Sequence, residues 1–203
     1  MNPSFLKLDP DKQRMIMNAA FQVFAQHDYK QANTNDIVAK AAISKGLLFH
    51  YFGSKRNLYV ELYKFGYSIV REHMQTRLPK QERDFFTLII NAQRIKTDIM
   101  MGYPHLFSFM LRAYYEQDGE VASSIASLNL QSIEANVALL LQQCDRSKFK
   151  DHISLEQAVN IVNWMSEGFM RTKLQQDDMD IPSLQQQYED YLLFLKNSFY
   201  KEL

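Results

Sequence analysis

The sequence predicts an all-α fold, and three observations support this prediction. Apolar residues recur at spacings of three and four along almost the whole chain, which is the pattern of amphipathic helices. The 203 residues include only 6 Gly and 5 Pro, fewer than a sandwich or barrel with many tight turns requires. Apolar residues make up 46% of the chain and charged residues 23%, a composition that can form a packed core.

The composition also argues against several classes of protein. Cys144 is the only cysteine, so it cannot form an intrachain disulfide, and no Cys and His residues stand at the spacing of a metal site. We therefore expect no metal or other cofactor and a reducing, cytoplasmic location. The sequence has neither a secretion signal nor a run of about 18 apolar residues, so we expect no membrane association. Dispersed histidines, and the lack of a Gly-rich phosphate loop or a nucleophile elbow, argue against an enzyme.

The first predicted helix begins at Pro10, with Asp9 as its N-cap, and ends near Gln26. Pro suits the first turn of a helix because its missing N–H has no partner there in any case. The stripe of apolar residues that faces the core consists of Ile16, Ala20, Val23 and Phe24.

A second helix, of about two turns, follows Asn33, which is a suitable N-cap with Asp36 in the first turn. A tight link over residues 42–44 leads to a third helix over residues 45–52. Ser44 can cap this third helix. The two short helices are therefore separated by no more than a turn.

Gly53 ends the third helix, and Ser54 can cap a fourth helix that runs to about Arg77. Further apolar periodicity, interrupted by segments rich in Gly, Pro and Asp, predicts helices at about 82–101, 104–117, 119–145, 154–176 and 183–202. We divide the chain into an N-terminal domain, residues 1–70, and a C-terminal helical domain, residues 71–203.

Residues 33–52 have the pattern of a helix-turn-helix, which places its second helix in the major groove of DNA. Residues 1–60 contain eight Lys and Arg against four Asp, a net charge of +4 in a chain that is neutral overall. If Leu48 and Phe52 face the core, the outer face of the third helix carries Lys45, Gly46, Leu47, Phe49 and His50. Such a face combines a cation for phosphate or guanine with apolar groups for a thymine methyl. An ordinary helical hairpin is the alternative.

The segment 33–55, NTNDIVAKAAISKGLLFHYFGSK, resembles the DNA-binding signature of the TetR/AcrR family of bacterial transcriptional regulators. The resemblance implies that the N-terminal helices bind DNA and that a helical C-terminal domain binds an effector and dimerises. It assigns base-facing or groove-facing positions to Lys45, Gly46, Leu47 and Phe49. It assigns phosphate contacts to His50, Tyr51 and Lys55, and contacts with phosphate and sometimes a base to Thr34 and Asn35. Lys40 and Arg56 match no such position, and we expect them to be solvated.

The segment departs from the family pattern at four positions. Asp28 and Ala42 stand where the family often has Gly, and we expect the fold to tolerate both. Leu47 and Phe49 stand where it often has Thr and Tyr, so two hydroxyls are lost from the DNA-facing surface. More of the readout then falls to apolar contacts, DNA shape and phosphate positioning.

The C-terminal domain is rich in large apolar residues, and the resemblance implies an effector cavity among its helices. A cavity lined by Met and aromatic side chains suits a small hydrophobic or aromatic molecule. Tight core packing is the competing interpretation, because a helical domain of this size needs many such residues. The candidate effector-binding residues are Tyr103, Phe107, Met110, Tyr114 and Trp164.

The last two predicted helices carry apolar stripes that could form a four-helix bundle with a second subunit, as the family usually does. Packing of these stripes within one subunit is the alternative. The candidate dimer residues are Val162, Met165, Phe169, Tyr188, Leu192, Leu195 and Phe199.

The sequence therefore predicts a homodimeric regulator that binds a palindromic operator in double-stranded DNA. The expected output is repression, which a small hydrophobic effector relieves by shifting the population of conformers. A helical ligand-binding or protein-interaction module with a degenerate DNA-binding domain is the alternative. The effector, the operator, the choice between repression and activation and the role of Cys144 stay open at this stage.

Overall fold

The computed structural model describes residues 2–129, 142–173 and 181–201, and it contains no β-strand in these ranges, which confirms the all-α prediction. The N-terminal helices are α1 (Pro3–Leu6), α2 (Pro10–Gln26), α3 (Thr34–Lys40), α4 (Lys45–Phe52) and α5 (Lys55–Arg77). The later helices are α6 (Phe85–Gly102), α7 (Leu106–Tyr114), α8 (helical residues 122–129), α9 (Leu155–Lys173) and α10 (Ile181–Phe199). Parts of the helices predicted at 119–145, 154–176 and 183–202 lie outside the described residues.

Local side-chain caps fix where the N-terminal helices begin. The predicted N-caps Asp9, Asn33 and Ser44 each accept a hydrogen bond from a backbone N–H in the first turn of the helix that follows. Ser54 Oγ likewise accepts from the backbone N–H of Asn57, at 3.1 Å. These caps set where α3 and α4 begin and hence the spacing of the helix-turn-helix.

The turn between α3 and α4 contains a strained residue. Ala42 has a φ of 48°, in the left-handed region that disfavours a Cβ atom. This is the position where the sequence has Ala in place of the Gly that the family often has. Leu48 and Phe52 of α4 are both buried, as predicted, so the turn directs this side of α4 into the core.

Residues 2–72 and 99–129 form one compact unit. Its core is a cluster of aromatic rings from three helices, and Phe24 and Phe109 both lie edge-on against Tyr59 with centroids 4.9 and 5.1 Å away. All three rings are fully buried. The packing therefore groups α7 with the helix-turn-helix, whereas the sequence-based division was placed at residue 70.

Residues 73–98, 142–173 and 181–201 form a second compact unit, whose core lies between the start of α6, α9 and α10. Asp84, just before α6, is buried and accepts hydrogen bonds from the backbone N–H of Thr87 and from Lys148 Nζ, both at 2.9 Å. Lys196 Nζ lies 3.9 Å from the same carboxylate. This carboxylate joins the start of α6 to two other parts of the unit.

Candidate nucleic-acid interface

The outward side of α4 is available for a ligand, because its inward side is anchored by Leu48 and Phe52. Lys45 and Gly46 are exposed, and Leu47 is partly exposed. Ser44 Oγ accepts from the backbone N–H of Leu47 at 3.2 Å, which fixes the first turn. The face therefore presents one cation, an open backbone and an apolar side chain at the N-terminal end of a helix.

Three further candidate residues of α3 and α4 differ in how exposed they are to solvent. Phe49 is partly exposed on α4 and Asn35 is exposed in the first turn of α3, whereas Thr34 is 9% exposed. Thr34 is therefore the least exposed of the three. The Asn35 backbone N–H donates to Asn33 Oδ1, so the exposed Asn35 side chain sits on a capped helix end.

His50 and Tyr51 contact the N-terminal residues of the chain. His50 is exposed, but its Nε2 lies 3.1 Å from Ser4 Oγ in a hydrogen bond. The Tyr51 ring is 6% exposed and packs edge-on against Phe5 with centroids 5.5 Å apart. Sequence periodicity did not indicate these contacts, because α1 is only four residues long.

Lys55, assigned to phosphate by the resemblance, makes contacts inside the protein. Its Nζ donates to the backbone carbonyl of Lys30 at 3.2 Å and lies 4.8 Å from the centre of the Tyr29 ring. Burial lowers the pKa of Lys55, although nearby carboxylates such as Glu120 oppose this effect. Lys55 thus holds the start of α5 to the loop that follows α2.

Arg56 is exposed, as expected, but it also donates hydrogen bonds within the protein. Arg56 Nε donates to the backbone carbonyl of Glu120 at 2.7 Å, and its Nη2 donates to Ser124 Oγ at 3.1 Å. These contacts tie the first turn of α5 to the first turn of α8 and to the segment that precedes it. The partners are more than 60 positions away in sequence, so periodicity could not reveal them.

The loop after α2 is held by polar groups that follow α7. The backbone N–H of Tyr29 donates to Glu116 Oε2, and the Tyr29 hydroxyl donates to Glu120 Oε2, both at 2.8 Å. Burial, followed by the hydrogen bond to Glu120, raises the pKa of Tyr29 well above its usual value. The neutral phenol is therefore the donor across the physiological range.

The candidate effector-binding residues are spread over both units. Tyr103 is half-buried and lies edge-on against Phe21, and Met110 Sδ lies beside Gly66 of α5. Phe107 is partly buried, and Tyr114 is 42% exposed. Trp164, on α9 in the second unit, is 69% exposed, which does not suit a residue that lines a cavity.

A surface cleft of about 320 Å³ lies between α5 and α8, and none of the candidate effector residues lines it. Its lining is mixed, because Val60 and Leu128 lie beside charged and polar side chains such as Arg56, Lys64 and Ser124. Among the described residues, no group of three or more His, Cys, Asp and Glu could hold a metal ion. No described helix is long and apolar enough to cross a membrane.

Four of the candidate dimer residues lie in the protomer's own core, because the apolar stripes of α9 and α10 pack within the second unit. These buried residues are Val162, Tyr188, Leu192 and Phe199. The other three, Met165, Phe169 and Leu195, are partly buried against the same core. The alternative of packing within one subunit therefore describes these stripes.

The outer faces of α9 and α10 carry other large apolar residues. Trp164 and Phe194 are 69% and 68% exposed, and Tyr191 and Leu193 are also more than half exposed. A Cβ atom added at Gly168, one turn after Trp164, would meet no atom within 4 Å. We call Trp164, Gly168, Tyr191, Leu193 and Phe194 the outer apolar face.

Comparisons with known proteins agree with the helix-turn-helix and with the all-α fold. Residues 16–62 match the family model of the bacterial regulatory proteins, tetR family. A TetR family transcriptional regulator from Chloroflexus aurantiacus is 17% identical over 99% of both chains, with a TM-score of 0.73. The fatty acid degradation regulator FadR from Bacillus halodurans is 18% identical over 91% of this chain and 98% of its own, with a TM-score of 0.69.

The ketosteroid transcriptional regulator KstR2 of Mycobacterium tuberculosis is 16% identical over 97% of this chain and 98% of its own, with a TM-score of 0.63. At these identities the similarity to solved structures establishes the fold over nearly the whole chain. No curated relative matches the sequence.

Proposed function

Through its N-terminal domain this chain belongs to the TetR family of bacterial regulatory proteins, and we propose that it is a ligand-responsive regulator that binds a palindromic operator as a homodimer. The observation that carries the proposal is the outward side of α4, where Lys45, Gly46 and Leu47 are accessible while Leu48 and Phe52 anchor the helix. We therefore call α4 the recognition helix.

The accessible groups of the recognition helix divide into two roles. Lys45 is suited to a phosphate or a guanine, and Leu47 is suited to a thymine methyl. Gly46 lets the protein backbone approach the groove, since a Cβ there would meet nothing within 4 Å in the free protein. The proposed contact surface also includes Asn35, Phe49 and the ring of His50. In this proposal the other three candidates position the surface from within the domain; they are Thr34, Tyr51 and Lys55.

The second subunit docks on the outer apolar face in this proposal. Aromatic side chains exposed to this extent are unfavourable in water and are enriched in protein interfaces. A second copy of the chain is the occupant because TetR-family regulators dimerise, and because two recognition helices on a palindrome supply the base contacts that one cannot. Gly168 allows a helix of the partner to approach closely.

A small apolar molecule is the proposed effector, and release of the operator is the proposed response. The remaining candidate contacts are Tyr103, Phe107, Met110 and Tyr114. We assign Trp164 to the outer apolar face because of its exposure. One similar protein is named as a fatty acid degradation regulator and another as a ketosteroid regulator, and these names support an apolar ligand class. Repression is the proposed output.

The test is titration of the purified protein against the DNA upstream of its own gene, at several salt concentrations, with a scrambled fragment of equal length as control. Tighter binding to the native fragment, with a steep salt dependence, supports a specific regulator. Equal and weak binding to both fragments contradicts the proposal for this DNA and favours a helical module with a degenerate DNA-binding domain.

A further inference from the structure

The N-terminal segment, residues 2–6, lies against the C-terminal end of the recognition helix. The backbone N–H of Asn2 donates to the carbonyl of Tyr51 at 3.0 Å, and Asn2 Nδ2 donates to the carbonyl of His50 at 3.1 Å. The last four carbonyls of a helix have no partner within the helix. Asn2 therefore satisfies two of these four groups in α4.

Phe5 anchors the same segment through apolar contact. Its side chain is 0% exposed, and its ring lies 5.5 Å from that of Tyr51 and 5.0 Å from that of Phe52. Asn2 Oδ1 also accepts from the backbone N–H of Ser4 at 2.9 Å and so caps α1. Two features thus hold the segment against α4. Asn2 caps both the start of α1 and the end of α4, and the ring of Phe5 is fully buried.

We propose that the N-terminal segment positions the recognition helix for sequence readout, with Asn2 and Phe5 as the positioning residues. The proposal rests on the proposed DNA-binding function. An eight-residue helix is too short to be stable alone, so its orientation depends on what it packs against. Contacts to base edges depend on this orientation more strongly than contacts to the phosphate backbone do.

The experiment compares three variants by the ratio of their affinities for the native upstream fragment and for scrambled DNA. Asn2→Asp keeps the acceptor that caps α1 but removes the donor to the His50 carbonyl. Phe5→Ala removes the buried ring, and Leu6→Ala changes a neighbouring side chain that is 62% exposed. We expect Asn2→Asp and Phe5→Ala to lower the ratio at least about fivefold, and Leu6→Ala to leave it within about twofold. The negative charge added by Asn2→Asp weakens binding to both fragments alike, so this effect does not change the ratio.

Hydrogen exchange of the free protein gives a readout that does not depend on DNA. We expect faster exchange of the amides at residues 48–52 in Asn2→Asp and Phe5→Ala, with α3 amides unchanged, because the end of α4 loses its support. Normal exchange in both variants, or faster exchange with an unchanged affinity ratio, overturns the proposal. If the wild-type protein does not prefer the native fragment, the proposed DNA-binding function is wrong. In that case hydrogen exchange still tests the contact, and unchanged exchange in both variants would refute it.

Discussion

Arg112 Nη1 donates a hydrogen bond to Asp28 Oδ1 at 2.6 Å, and Arg112 Nε donates to the carbonyl of Ala25 at 2.9 Å. The Ala25 carbonyl is among the last four of α2, which lack partners within the helix. A side chain of α7 therefore caps the helix that precedes the helix-turn-helix. The Asp at position 28, a departure from the family pattern, provides the second contact of this cap.

Replacing Arg112 should destabilise the first unit more than replacing Asp28 does. Arg112→Met keeps the apolar stem but leaves the Ala25 carbonyl without its donor, and we expect a loss of about 1 to 2 kcal/mol in the free energy of unfolding. Asp28→Asn should cost under about 1 kcal/mol, because both side chains of this ion pair are more than one third exposed. Urea denaturation measures both values. Arg71→Met, at an exposed position of α5, is the control, and equal losses for Arg112→Met and Asp28→Asn would contradict the assigned roles.

Ala42→Gly should stabilise the protein. A non-Gly residue in the left-handed region carries about 1 to 2 kcal/mol of strain, and part of the relief is offset by the greater freedom of Gly in the unfolded chain. We expect a net gain of about 0.5 to 1 kcal/mol in the free energy of unfolding. Ala39→Gly, at an exposed position in α3, is the matched control and should lower stability by a similar amount. A loss of stability in both variants would refute strain at Ala42.

The sequence predicted the helix-turn-helix well because its determinants are local. Asp9, Asn33 and Ser44 each cap a helix through a backbone group two or three residues away, so the signal lies within a few positions. The burial of Leu48 and Phe52 follows from their spacing of four in one short helix. Such features do not require knowledge of the tertiary structure.

The contacts of Lys55 and Arg112 could not be predicted, because their partners lie 25 and more than 80 positions away. A basic residue in a DNA-binding motif has the same sequence signature whether its charge faces phosphate or a carbonyl of its own chain. The stripes of α9 and α10 show a similar ambiguity. Periodicity placed Val162 and Leu192 on the apolar stripes of α9 and α10, but it does not distinguish a core from a dimer interface. The exposed Trp164 and Phe194 lie on the opposite sides of the same helices.

Leu47→Ala and Lys45→Ala should change DNA binding in different ways. Without its apolar contact, Leu47→Ala should change the ranking of single-base operator variants by about 1 kcal/mol at one position, with the salt dependence unchanged. Lys45→Ala should weaken binding to all sequences and lower the salt slope by about one if its ammonium contacts a phosphate. Affinity titrations over a panel of operator variants and salt concentrations separate these outcomes. The reverse pattern would exchange the two roles.

A charge on the outer apolar face should weaken dimerisation. Trp164→Glu and Phe194→Glu each place a carboxylate at a position that the partner subunit would bury. Loss of a buried aromatic contact of about 2 kcal/mol should raise the dimer Kd at least about thirtyfold. Sedimentation equilibrium measures this value. Met101→Glu, at an apolar position that is 75% exposed in the first unit, should leave the Kd unchanged. A dimer that tolerates both charges would place the interface elsewhere.

The stability of the second unit should fall in acid through the titration of Asp84. Burial by itself raises the pKa of this carboxyl, but hydrogen bonds from Lys148 and Thr87 and the charge of Lys196 lower it to about 2. The folded pKa lies below the unfolded value of 3.8, so the stabilisation is fully present above about pH 5 and is lost as the pH falls towards 2. The shift corresponds to about 2 kcal/mol.

Asp84→Asn should therefore lose about 2 kcal/mol of stability at pH 7 and show a smaller change in stability between pH 5 and pH 2 than the wild type does. The reason is that the amide cannot gain the proton that weakens the contact with Lys148 in acid. Urea midpoints at several pH values measure both effects, with Asp190→Asn, at an exposed position of α10 in the same unit, as the control. If the acid dependence of Asp84→Asn is as steep as that of the wild type, other carboxylates must be responsible for it.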